Sequence, residues 1–239
     1  MAAQLQEWRV RPHGPITQVD ANIFTVVGQV HMPVGDLPRR MTAVRLDDGQ
    51  LVIFSAIVLD EDEMQKLESL GEPTWLIVPS DHHRLDAKAW KDRYPALRVI
   101  APEGARANVA KAVPVDATTA DFGDAGVAFV TVPGTRGHES ALEAHGPQGT
   151  TLVLNDIVAN IRRRSGFGGW MLRVMGFAGE QPHVPLPVKA SMVDDKEALQ
   201  QQLLEWASVN DLKRVLVSHG DPIETDPQGA LRELAASLQ

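Results

Sequence analysis

The chain has 239 residues, 44% of them apolar, and a formal net charge of −8, enough for one large domain with a full core or for two small ones. The acidic balance argues against a nucleic-acid surface, and the absence of cysteine excludes disulfides and thiolate metal sites. No apolar run approaches the roughly 18 residues of a membrane span and residues 1–20 lack the apolar stretch of a signal peptide, so a cytoplasmic location with no membrane partner is expected.

Residues 8–11, 16–19 and 23–30 are short β-favouring runs separated by Pro, Gly and Asn. Runs 41–46 and 51–55 flank Asp47-Asp48-Gly49-Gln50, a hairpin turn because Asp-Gly accepts positive φ. A helix is predicted over 60–70, where Leu59, Met64, Leu67 and Leu70 recur at helical spacing and Gly71 closes the run. Strand and helix then alternate: strand 75–78, helix 87–93, strand 98–101, helix 103–111 and a short strand 113–115. This alternation argues for α/β layers. Strands return at 127–132, 140–144 and 151–154. The chain closes with a helix over 194–208, a strand over 214–217 and a helix over 228–237. Strands then helices occur twice with no linker between, so a single domain over 1–239 is expected.

The segment at about 160–192 breaks the pattern. Arg162-Arg163-Arg164 is the densest basic run, and a run of that length reads as a solvated edge. The whole segment 160–192, with its Gly-rich, aromatic stretch and its Pro182, Pro185 and Pro187, reads equally as a long surface connection or as a lid or pocket wall. Its Phe167, Trp170, Met171, Leu172 and Phe177 would also suit a homodimer contact.

Four strand ends carry polar groups of related chemistry. The first is Leu76-Ile77-Val78-Pro79-Ser80-Asp81-His82-His83-Arg84-Leu85-Asp86, an apolar run that stops in a cluster of metal-capable side chains. The second is Pro133-Gly134-Thr135-Arg136-Gly137-His138-Glu139, the third Leu154-Asn155-Asp156, and the fourth Ser218-His219-Gly220-Asp221. Each polar group has an ordinary reading beside the functional one. Asp81 or Asp86 would cap the helix at 87–93, and Asp156 would cap a helix over 157–163. His138 and Glu139 would form a buried polar pair.

The order of these four motifs resembles the metallo-β-lactamase-fold hydrolases, from about residue 40 to the end. The resemblance implies an αββα sandwich, a four-layer α/β (α+β) fold, with metal ligands on one rim. In that family the first loop reads His-x-His-x-Asp-His. Here Asp81 and His83 stand at the two His positions, Leu85 replaces the Asp and Asp86 replaces the last His. Thr135 stands where a ligand His follows Pro-Gly, with His138 three residues on. Phe54-Ser55-Ala56 stands where Asp-Thr-Gly is usual. Asp156 matches the bridging Asp and His219 the final His. The fold signal is therefore kept while the metal motifs are eroded.

On this resemblance Asp81, His83, Asp156 and His219 are the expected metal ligands, with His138 or Asp86 as substitutes. One divalent ion is expected, Zn or alternatively Mn or Fe, or none. Asp156 or Asp86 would be the general base in hydrolysis of a small-molecule ester, amide or phosphoester. The alternative is a catalytically silent, metal-free module that holds an anionic ligand with Arg84, Arg136 and His82.

Overall fold

The computed structural model describes residues 7–32, 35–162, 176 and 178–238. Its first half is an antiparallel meander of β1 (Thr17–Asp20), β2 (Ile23–Met32), β3 (Gly35–Arg45) and β4 (Gln50–Phe54). The expected turn closes the last hairpin, with Gly49 at φ 87°. α1 (Glu61–Leu70) starts where Asp60 accepts a hydrogen bond from the Glu63 N–H, which satisfies one of the free donors of the first turn. β5 (Glu72–Ile77) and, after α2 (Ala87–Arg93), β6 (Arg98–Ile100) then add in parallel. The result is a six-stranded sheet in sequence order, followed by α3 (Glu103–Val109).

The second sheet contains β7 (Val127–Thr131), β8 (Ser140–Gly146), β9 (Gly149–Arg162), β10 (Ala178–Gly179) and β11 (Leu212–Gly220). β8 pairs antiparallel to β7 and β9, whereas β10 and β11 run parallel to β9. Its helices are α4 (Leu186–Ser191), α5 (Lys196–Ala207) and α6 (Pro227–Ala236).

Side-chain alternation along the strands assembles the layers. In β4, Val52 and Phe54 join Leu142, Val153 and Leu216 of the other sheet in a core between the sheets. Leu51 and Ile53 point the other way, to Met64, Leu67 and Trp90 of the first helical layer. In the second sheet Leu152, Leu154, Val215 and Val217 face Leu199, Leu203, Trp206 and Leu231 of the second helical layer. Helix, sheet, sheet and helix stack in that order, which is the αββα sandwich.

Three local expectations change. Residues 8–11 form no strand; Trp8 instead packs on Trp90 and donates its indole N–H to the Leu59 carbonyl at 3.0 Å. Residues 113–115 are also not a strand, and the contact to β6 comes later, as a single bridge from Ile100 to Ala117. The helix that Asp156 would have capped is absent, because β9 continues to Arg162. Ile157, Val158 and Ile161 are buried there, and β-branched side chains favour the extended backbone. The stretch 165–177 and Arg163-Arg164 lie outside the described residues, Gly176 excepted. No helix among the described residues is long and apolar enough to cross a membrane.

Candidate functional site

β5 delivers the chain into the loop that carries Ser80, Asp81, His82 and His83. β9 carries Asn155 and Asp156, and the last turn of β11 carries His219. These segments meet at one edge of the sandwich. His83 Nε2 lies 3.0 Å from Asp156 Oδ1, His219 Nε2 lies 3.1 Å from the same oxygen, and the two nitrogens are 3.2 Å apart. Among the described residues this trio is the group of His and carboxylate side chains arranged to hold a metal ion. About a tenth of each side chain remains open to solvent, 9% for His83, 11% for Asp156 and 9% for His219.

Each member is oriented from behind. His219 donates its Nδ1–H to the Pro38 carbonyl of β3 at 2.7 Å, so in the neutral ring the Nε2 lone pair faces the trio. His83 Nδ1 lies 2.8 Å from Ser55 Oγ, and a hydroxyl can donate to that nitrogen or accept from it. Ser55 holds φ 57°, a left-handed backbone that few non-glycine residues adopt. Asp156 receives the Ser80 hydroxyl on Oδ2 at 3.2 Å, and its own N–H donates to Glu139 Oε1 at 2.6 Å.

The charges follow from this packing. Burial, the largest influence, would raise the Asp156 carboxyl, but the His83 charge and the hydrogen bonds from both rings outweigh it and hold the group well below the usual carboxylate range. Burial opposes the His219 cation, yet the bond to Asp156 prevails and the ring titrates above its ordinary value. Burial prevails for His83, which is lowered. Glu139 is pushed well above the usual range by burial and then by the Asp156 charge.

The donor set fits a divalent ion. Tetrahedral zinc with Zn–N bonds of about 2.0–2.1 Å separates its ligand atoms by roughly 3.3 Å, close to the 3.0–3.2 Å edges found here. Two imidazoles and one carboxylate are ligand types that zinc accepts. The same set also suits Fe(II).

The other expected residues fall elsewhere. Asp81 receives the Asn108 side-chain N–H at 2.8 Å and lies 3.3 Å from His82. Asp86 is closed from solvent, ion-paired with Arg39 and accepting the Val58 N–H at 3.1 Å. His138 sits half-buried in the turn after β7, where its N–H donates to the Thr135 carbonyl at 2.9 Å. Arg84 donates to the Asn108 carbonyl, and Arg136, 62% exposed, lies 3.7 Å from Asp194. His82, 65% exposed, comes within 3.9 Å of Asp156 Oδ2. Of the supporting groups, Pro38 carries no sequence signal, while Ser55 and Ser80 lie in the stretches Phe54-Ser55-Ala56 and Pro79-Ser80-Asp81 without being marked as partners of the trio. Glu139, expected as a buried polar partner of His138, is buried but bonds Asp156 and Asn155 instead.

No family model matches the chain, and no curated protein matches it. Solved structures do, across nearly the whole chain. DIM-1 metallo-β-lactamase exposed to ceftazidime is 15% identical with a TM-score of 0.63, covering 97% of this chain and 100% of that one. The metallo-β-lactamase FIM-1 from Pseudomonas aeruginosa in the mono-zinc form is 14% identical, TM-score 0.63, covering 98% of each chain. A metallo-β-lactamase from Pontibacter korlensis is 13% identical, TM-score 0.62, covering 92% and 98%. The chain has the metallo-β-lactamase fold.

Proposed function

We propose that the protein is a metal-dependent hydrolase that binds one divalent ion between His83, Asp156 and His219 and cleaves a small-molecule ester, amide or phosphoester. The observation that carries this is the largely buried triangle of two imidazole nitrogens and one carboxylate oxygen, each side chain keeping about a tenth of its surface exposed. The neighbour described as a mono-zinc form supports a one-ion site in this fold. When bound, the ion supplies a water whose pKa falls toward neutrality.

The remaining work belongs to the chain. Pro38 and Ser55 fix the ring orientations of His219 and His83. Asp156 divides its carboxylate: Oδ1 faces the rings, and Oδ2 faces Ser80 and, at 3.9 Å, His82. Asp156 is the general-base candidate, Oδ2 being the carboxylate oxygen not turned to the two rings. Asp86 is not assigned that role, since its carboxyl is paired with Arg39. The metal-free alternative is not favoured: Arg84 and Arg136 engage Asn108 and Asp194 rather than a shared ligand space.

The test is a panel of chromogenic esters, amides and phosphoesters, assayed with zinc, manganese or iron(II) against wild type and Asp156→Asn. Turnover that needs an ion and falls at least a hundredfold in the variant supports the reading. Equal rates in both proteins, or none with any ion, refute it.

A further inference from the structure

β9 does not run straight past the site. Between the pairs Val217↔Leu154 and His219↔Ala159, β9 advances five residues while β11 advances two. On the other side the pairing with β8 stops at Leu142↔Val153. Residues 155–158 therefore bulge out of both ladders, and this bulge carries Asp156. A bulge re-aims a side chain but leaves backbone donors without ladder partners.

Glu139 fills that gap. It is fully buried and lies immediately before β8. Its Oε1 accepts the Asp156 N–H at 2.6 Å. Oε2 faces the Asn155 amide at 3.4 Å, and that amide reaches Ser80 Oγ at 3.3 Å. Ser80 in turn donates to Asp156 Oδ2 at 3.2 Å. The network thus holds Asp156 at its backbone and at its carboxylate.

We infer that Glu139 is a positioning residue that sets the Asp156 carboxylate for ion binding by capping the β9 bulge. The inference rests on the one-ion reading of the site. Gln at 139 keeps an acceptor for the Asp156 N–H, whereas Ala keeps none and leaves buried donors unpaired.

The experiment compares wild type, Glu139→Ala, Glu139→Gln and Asp20→Asn. The last is a stability control at a second buried acid, which accepts the Ala21 N–H at 2.7 Å and lies 3.5 Å from Arg214. Zinc and cobalt(II) affinities and the cobalt visible spectrum are measured. In parallel, 15N chemical shifts of the His83 and His219 rings are recorded on metal-free protein. Glu139→Ala is expected to weaken ion binding 10–100-fold, to change the cobalt bands and to shift both rings. Glu139→Gln should stay within about threefold of wild type on that scale, and Asp20→Asn should move none of these readouts. Unchanged rings and affinity in folded Glu139→Ala, or equal changes in Asp20→Asn, overturn the inference. If wild type binds no ion, the hydrolase reading fails on that result, and the ring shifts of the metal-free proteins decide the positioning role separately. Should Glu139→Ala fail to fold, Glu139→Asp decides instead, because its shorter side chain draws the carboxylate back from the Asp156 N–H that Glu139 now accepts at 2.6 Å: altered rings support the role and wild-type rings oppose it.

Discussion

Ser55 Oγ lies 2.8 Å from His83 Nδ1, and the hydroxyl can serve the ring in either tautomer. Facing Asp156 with Nε2–H, the ring accepts from Ser55; offering its Nε2 lone pair to an ion, it donates to Ser55. Ser55→Ala removes the contact without adding bulk. Ion affinity should fall about tenfold, as for outer partners of metal-bound His, with little loss of melting temperature. Isothermal titration of zinc into both proteins reads this directly.

Arg39 and Asp86 form a buried ion pair that joins β3 to the end of the His83 loop. Asp86 also accepts the Val58 N–H at 3.1 Å. Removing one partner strands the other charge in the interior. Asp86→Ala should therefore cost about 3–5 kcal/mol, measured by urea denaturation. A loss below about 1 kcal/mol would place the pair with ordinary surface bridges.

Gly220 follows His219 at φ 113°, and a Cβ there would meet the Asn160 carbonyl oxygen at 2.1 Å. That close approach seats the end of β11 against β9 beyond the bulge, and Arg40 ties the same turn to β3 through the Val217 and Gly220 carbonyls. Gly220→Ala should displace His219 and weaken ion binding at least as strongly as Ser55→Ala, as well as lowering the melting temperature. A crystal structure of the variant with an undisturbed His219 would oppose this.

Acid stability has a contribution far from the site. Glu63 accepts the Ile16 N–H at 2.7 Å and the Lys66 ammonium at 2.5 Å. The Ile16 bond and then the Lys66 bond hold its carboxyl below the ordinary value. A depressed folded-state value stabilises the fold above the unfolded-state value, about 4.3, and that stabilisation is lost as pH falls through the folded value. Glu63→Gln should therefore be less stable than wild type at pH 7. The difference should shrink as pH falls below about 4, as followed by thermal melts across pH.

The layers and the convergence of His83, Asp156 and His219 were legible in the sequence because each lies where an apolar run ends, and strand ends in layered α/β folds gather on one rim. The motif order makes Asp81 an expected ligand and Asp86 a substitute, and only the structure shows Asn108 and Arg39 engaging them. Those partners come from α3 and β3, and no local pattern announces them. Asp156 had two readings because an Asp before Ile-Val reads as a helix cap or as a strand residue. Pairing of β9 with His219 and Gly220 decides for the strand. The support from Ser55 and Glu139 arrives from 28 and 17 residues away along the chain, beyond the reach of any periodicity.

The most direct test of the account is the metal content of untagged protein purified without chelator, beside a His83→Ala/His219→Ala double variant. A one-ion site predicts about one equivalent of zinc, manganese or iron in the wild type and its loss in the folded variant. Less than roughly a tenth of an equivalent, unchanged after incubation with each ion, would contradict a site meant to hold one ion by three ligands.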